Sequence, residues 1–209
     1  LAGMSPSAVT GLFLGMFVKP IPGADGTGMM TMIVYVVLTL FIVGLMVGKT
    51  PEYLSMKISS HDIKLAVFIF LIHPALILIP TAISLMSGDA QTVLGTQGQQ
   101  TVTATGYTQT LYEYTSAAAN NGSDYFGTSA DTPFWNYSTG IVMLLGRYIP
   151  IGLMLAIAGS FTVKDRKEVI EPIKTQGPLF ITVLVVMTFL LTALTFFPFL
   201  AIGPFSMGS

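Results

Sequence analysis

Asn120-Asn121-Gly122-Ser123 is the part of this 209-residue chain whose residue types suit the binding of an ion. Small polar residues leave their backbone carbonyls bare, and Gly122 can adopt conformations that aim those carbonyls to one side. Potassium calls for that arrangement: several neutral oxygens at once, each weakly held, so that the ion both binds and leaves. One such loop supplies only about a quarter of a coordinating ring. Three further loops must therefore come from elsewhere in the protein or from other subunits. Asn121-Gly122-Ser123 also matches a glycosylation sequon, as does Asn136-Tyr137-Ser138. A loop buried in a pore could not be glycosylated.

Other chemistries are excluded or weak. There is no cysteine, so disulfides, thiol catalysis and thiolate zinc sites are ruled out. His61 and His73 lie too far apart to suggest a metal site. Gly48-Lys49-Thr50 lacks the upstream glycine and the preceding strand of a phosphate-binding loop. No aspartate stands in a phosphorylation-like Asp-Lys-Thr setting, so the chain is not expected to hydrolyse ATP itself. His73, followed by Pro74, reads as a packing or kink residue ahead of a proton carrier. Arg147 stands more than ten residues from either end of an apolar run, and such a charge costs about 2.5–3.5 kcal/mol on insertion scales. It should face protein or water and find a carbonyl or carboxylate, because it is too deep to snorkel.

The elements that position these residues are apolar. The chain is 52% hydrophobic and 9% charged, with a mean hydropathy of +0.74. Soluble domains carry about 25% charged residues, so the composition is that of a membrane protein in a lipid bilayer. The net charge of −1 argues against a nucleic-acid partner. Leu1 to Met16 is apolar but short of the roughly 20 residues a span needs. Between Pro20 and Gly28 two prolines and three glycines break any helix. Met29 to Val47 then runs 19 residues without a charge. The stretches 1–16 and 29–47 are either separate pieces or halves of one broken helix. Thr50 as N-cap with Pro51 behind it predicts a short interfacial helix to about Ile58. Leu65 to Met86 is the next span, interrupted by His73-Pro74 and Pro80, and residues 87–106 form an exposed loop. Tyr107 to Ala119, thirteen residues with Tyr107, Leu111, Tyr112 and Tyr114, suit a short helix that enters the membrane and stops. Its C-terminus would turn a partial negative charge toward the loop that begins near Asn120. Pro133 to Ala158 and Pro178 to Pro204 complete four full spans.

Seven of the nine basic residues, Lys49, Lys57, Lys64, Lys164, Arg166, Lys167 and Lys174, fall in the loops 48–64 and 159–176. The segment 87–132 has none, but carries Asp89, Glu113, Asp124 and Asp131. Cytoplasmic loops collect Lys and Arg. The loops 49–64 and 160–176 are therefore expected in the cytoplasm, and Asn120 to Ser123 outside. Residue 1 is Leu and no basic region precedes an apolar core, so no signal peptide is visible. The chain reads as the C-terminal fragment of a longer protein or as one product of a split gene.

Gly48-Lys49-Thr50-Pro51-Glu52-Tyr53-Leu54 resembles the Gly-Arg-Thr-Pro-Glu-Tyr-Leu motif of the KdpA family, the potassium-binding, channel-like subunits of prokaryotic potassium-transporting ATPases. Ser116 to Asn136 resembles that family's fourth filter region. Gly146-Arg147-Tyr148, Ala156 to Ser160 and Thr175 to Phe180 are similar to further pieces of it. Lys49 stands where Arg is usual, Asp124-Tyr125 replaces Ala-Phe beside the filter, and Lys19 and Asp25 depart from the family's glycine-rich loop.

The resemblance implies an all-α polytopic membrane protein built from channel-like repeats of helix, pore loop and helix, and incomplete here. Residues 1–48 would be the second helix of a third repeat, broken by the gating loop 17–28 with Gly23, Gly26 and Gly28. Residues 65–159 would be the fourth repeat: span 65–86, pore helix 107–118, filter 119–125 and span 133–158. A terminal span, 177–204, would follow. Asn120, Asn121, Gly122 and Ser123 would line one quadrant of a K⁺ filter, and Arg147 would lie near the pore or tunnel. The implied function is high-affinity potassium import in a prokaryotic plasma (inner) membrane. A KdpB-like P-type pump subunit hydrolyses ATP beside KdpC-like and small KdpF-like subunits, and no organic cofactor is called for. The alternatives are a gradient-driven Trk or Ktr type of transporter subunit, against which the Thr-Pro-Glu-Tyr-Leu loop speaks, and a non-conducting membrane scaffold subunit.

Overall fold

The computed structural model describes residues 27–87, 104–120, 131–164 and 177–206. Within them lie helices α1 (Thr27–Val47), α2 (Ser60–Met86), α3 (Ala104–Ala119), α4 (Pro133–Thr162) and α5 (Pro178–Ser206), and a hairpin of β1 (Glu52–Tyr53) and β2 (Met56–Lys57). Met29–Val47, Ser60–Met86 and Pro133–Thr162 are long and apolar enough to cross a membrane, and Pro178–Leu191 is a shorter apolar stretch. Large side chains such as Phe68, Ile79, Ile83, Ile141, Leu144 and Leu155 are half or more exposed on these helices. Helices apolar all round are solvated by lipid or by other helices rather than by water. The chain is a helical, polytopic membrane protein. The apolar segment 1–16 and Gly23 and Gly26 of the expected gating loop lie outside the described residues. Gly28, expected as the last residue of that loop, stands instead in the first turn of α1, where the amides need no intrahelical partner.

Contacts divide the chain into two compact units, whose described residues are 27–71, 150–164 and 177–193 in one and 72–87, 104–120, 131–149 and 194–206 in the other. In the first, Val37, Leu40, Ile58, Ala66 and Ile157 form a buried cluster, with Phe41, Tyr53, Phe161 and Phe180 packed around it. Tyr35 meets Phe70 edge-on, ring centroids 6.2 Å apart.

The short helix expected from Pro51 to Ile58 is replaced by the hairpin. α1 ends with Gly48 at φ 69°, and the Lys49 amide donates to the Gly44 carbonyl at 3.0 Å. This is the glycine-capped helix end of the Schellman type. The chain then doubles back so closely that a Cβ on Gly44 would meet the Lys49 carbonyl at 2.9 Å and Pro51 Cβ at 3.2 Å. Glu52 pairs with Lys57 and Tyr53 with Met56, around Leu54 and Ser55 at φ 53° and 62°. Two successive left-handed residues are the signature of the turn that matches strand twist. The reversal buries Ile58, and its amide donates to the Pro51 carbonyl at 3.1 Å. It also sets Tyr53 edge-on against Phe161 at 6.2 Å. A helix would give up these contacts, and burial outweighs the local N-cap signal.

α2 begins at Ser60, five residues ahead of the expected span and inside what was read as loop 49–64. Ser59 caps it: the Asp62 amide donates to Ser59 Oγ at 3.4 Å, and the Ser59 amide donates back to Asp62 Oδ2 at 2.7 Å. This is a capping box with Asp in the third helical position. Asp62 also accepts from the Ser160 hydroxyl at 2.6 Å and pairs with Lys164, whose ammonium lies 4.4 Å from the Phe161 ring centre. A carboxylate at the start of α2 and an ammonium beyond the end of α4 each complement a helix dipole. This clasp extends α4 to Thr162, past the Ala158 at which the sequence suggested a stop.

Asp62→Ala strands Lys164 and Ser160 at once. Breaking a buried pair costs about 3–5 kcal/mol, and the lower figure is expected because the Lys164 side chain keeps 21% of its surface open. Thermal melting of the full-length protein in detergent should show a lower midpoint, and a midpoint equal to the parent's would contradict the clasp.

Candidate functional site

The candidate filter begins where α3 ends. α3 is sixteen residues long, or about 24 Å at 1.5 Å per residue, against a hydrocarbon core of about 30 Å. It starts at Ala104, three residues before the start at Tyr107 read from the sequence, with the Thr110 hydroxyl donating to the Gly106 carbonyl at 2.9 Å. Thr115 does the same to Leu111 at 2.7 Å. Such back-bonds satisfy hydroxyls inside an apolar helix. One face of α3 is fully buried: Thr110, Leu111 and Tyr114 are each 0% exposed, and Ala118 is 1%.

That face is held by α4 and by the second half of α2. α4 starts on a Thr132 cap with Pro133 in the first helical position, the Trp135 amide donating to Thr132 Oγ1 at 3.4 Å and the Asn136 amide to its carbonyl at 2.9 Å. This start sets Trp135 against Tyr114, ring centroids 5.5 Å apart. The Tyr114 hydroxyl donates to Ser138 Oγ at 2.9 Å, and Ser138 in turn donates to the Trp135 carbonyl at 3.2 Å. On its other side Tyr114 Oη lies 2.6 Å from Ser84 Oγ of α2.

The end of α3 is held more tightly still. Asn120 takes the left-handed conformation, φ 53°, that closes helices at their C-termini. Its amide donates to the Ala117 carbonyl at 3.0 Å, and its side-chain nitrogen donates to the Met143 carbonyl of α4 at 3.2 Å. One turn further along α4, a Cβ on Gly146 would stand 2.6 Å from the Ala118 carbonyl oxygen. The two backbones touch there, which only glycine permits. Of the four residues assigned to the filter, Asn120 alone is described; Asn121, Gly122 and Ser123 lie outside the described residues. Arg147 follows Gly146 and is exposed. Among the described residues no carboxylate pairs with it, so the partner expected for this charge is not supplied within them.

A family profile for the potassium-transporting ATPase A subunit, KdpA, matches residues 1–207. The chain belongs to this family. A potassium-transporting ATPase potassium-binding subunit of Geobacillus kaustophilus is 43% identical over 205 residues, covering 98% of this chain and 35% of the relative. One from Clostridium acetobutylicum is 43% identical over 194 residues, 92% of the chain and 34% of the relative. A potassium-binding subunit 1 of Staphylococcus aureus is 44% identical over 202 residues, 96% and 35%. The chain thus spans about a third of the length of the KdpA relatives it matches.

Sequence reasoning missed the residues that position this KdpA segment. Ser84, Tyr114 and Ser138 are separated by 30 and 24 positions, and no local pattern joins them. Lone serines inside apolar runs were the available signal, since a hydroxyl among lipid-facing helices needs a partner. Gly146 was noticed only as part of a motif, though a glycine inside a long helix invites a close backbone approach.

Gly146→Ala should overpack the α3–α4 contact and cost about 1–3 kcal/mol. Gly140→Ala on the same helix, where a Cβ meets nothing within 4 Å, should be neutral or slightly stabilising. Melting of the two full-length variants in detergent separates them, and equal midpoints would contradict the contact.

Proposed function

We propose that this chain supplies one quadrant of a potassium filter in the ion-selecting subunit of an ATP-driven importer. The observation that carries this reading is α3: a helix too short to span lies between two spanning helices and ends at left-handed Asn120, immediately before Asn121-Gly122-Ser123. The negative end of its dipole meets the loop, a favourable place for a cation. Main-chain carbonyls of Asn120 to Ser123 would replace part of the water shell of K⁺, the cargo, and the remaining quadrants would come from sequence beyond this chain. The Asn120 side chain, engaged with Met143, acts as a brace and leaves only its carbonyl to the ion. Kinship to subunits named as potassium-binding supports this choice of ion.

By the same reading the filter faces outside, and residues 49–64 and 160–176 face the cytoplasm of a prokaryotic inner membrane. The selected ion passes to a KdpB-like P-type pump subunit that hydrolyses ATP, with KdpC-like and KdpF-like subunits completing the assembly. The glycine-rich loop with Gly23 and Gly26, leading into Gly28 at the start of α1, gates the path. The Arg147 charge near the pore hinders straight passage into the cytoplasm.

K⁺-stimulated ATPase activity of the full complex tests the filter. Gly122→Asp places a fixed charge and a side chain where the carbonyls must converge. It should raise the K⁺ concentration for half-saturation by about tenfold or more, equivalent to about 1.4 kcal/mol of binding. An unaltered half-saturation would leave a non-conducting scaffold as the better account.

A further inference from the structure

We propose that the hydroxyl chain Ser84–Tyr114–Ser138 is a positioning device that sets ion selectivity by fixing the height and rotation of α3; the inference rests on the filter reading above. The direction of the chain follows from its contacts. Ser138 gives its proton to the Trp135 carbonyl at 3.2 Å, so it can only accept from Tyr114, 2.9 Å away. The Tyr114 proton is thereby used, and the remaining contact at 2.6 Å must be donated by Ser84. Every hydroxyl proton is assigned and the chain ends on a backbone carbonyl. It has one arrangement rather than two, and no proton is left to transfer.

Position makes this rigid link matter. Ser84 and Tyr114 are both 0% exposed, in a setting where aliphatic side chains would pack without any desolvation. Three hydroxyls kept there at that cost hold three helices at one point. Tyr114 precedes Ala118 by four residues, about 6 Å along the axis, and Ala118 is the residue pressed against Gly146. α3 is therefore pinned to α4 at three levels, Tyr114, Ala118 and the Asn120 side chain on the Met143 carbonyl, and to α2 at the first of them. A helix held only at its last turn, by Ala118 and the Asn120 side chain, could tilt and rotate about those neighbouring contacts and shift the Asn120 carbonyl. Carbonyls 1 Å out of place discriminate poorly between cations of similar radius.

The test uses the full-length protein in its complete complex, with ATPase activity driven by K⁺ and by Rb⁺. Tyr114→Phe keeps the ring against Trp135 and removes only the link. It should raise the half-saturating K⁺ concentration about fivefold, the worth of one neutral hydrogen bond, and lower the K⁺ preference over Rb⁺, with maximal velocity unchanged. Ser138→Ala, which leaves the tyrosine in place, should do the same, and the double variant should add little to either. A lower melting temperature or yield with an unmoved K⁺/Rb⁺ ratio in both variants would mean a merely structural role and overturn the proposal. Gly122→Asp run in parallel separates the two readings. If it raises half-saturation while both hydroxyl variants behave as the parent, the positioning role alone fails. If it changes nothing, the filter reading fails and takes this inference with it.

Discussion

At Gly146 the backbone of α4 comes so close to the Ala118 carbonyl that no side chain could stand between them. The rest of the site depends on this approach. It brings the last turn of α3 against a long helix that starts on its own cap at Thr132, and it puts the Met143 carbonyl within reach of the Asn120 side-chain nitrogen. Asn120 can then hold a left-handed conformation that costs a non-glycine residue about 1–2 kcal/mol when nothing supports it. The helix therefore stops at a defined residue and turns its carbonyl end toward the loop.

Each of the two units meets the same difficulty, polar groups inside an apolar molecule, in a different way. One gathers charge and hydroxyls on a single carboxylate: Asp62, 0% exposed, takes the Ser59 amide, two hydroxyls and the Lys164 ammonium. The other uses neutral hydroxyls in a line from Ser84 to the Trp135 carbonyl. The ionic clasp sits at helix ends, where a carboxylate and an ammonium also complement the dipoles. The neutral chain runs from the last turn of α2 through Tyr114 of α3 to the second turn of α4, with Ser84 and Tyr114 both 0% exposed, and a neutral link there avoids burying an ion. α2 carries the same logic to its prolines, with the Thr81 hydroxyl donating to the Ile77 carbonyl at 2.6 Å, beside the carbonyl that Pro80 leaves without an amide donor.

Much of the architecture was legible because lipid imposes a length. Long apolar runs over 29–47, 65–86 and 133–158 announced spanning helices, and the tyrosine- and alanine-rich run before Asn120 announced a shorter one. What was not legible depended on tertiary contact. Leu54-Ser55 carries none of the Gly, Asn or Asp that marks a two-residue hairpin turn, so the Thr50-Pro51 cap signal pointed to a helix that burial of Ile58 overrides. The Ser59–Asp62 capping box is present in the sequence, but it stands ahead of the apolar run, which starts at Leu65. In the candidate site, residue types and the family resemblance singled out Asn120 to Ser123 as an expectation, of which Asn120 alone is described. The three hydroxyls and the Ala118–Gly146 contact could not be read, since their partners lie 24 or more residues away. Arg147 was noticed as a charge in an apolar run, but nothing in its neighbours named a partner.

The most direct measurement is the location of the ion. A structure of the complete complex soaked in Tl⁺, a heavy stand-in for K⁺, would reveal bound ions by anomalous scattering. The account predicts a peak coordinated by main-chain carbonyls of the segment Asn120 to Ser123 together with those of three other loops. Tl⁺ bound elsewhere in the subunit, with no peak against that segment, would contradict it.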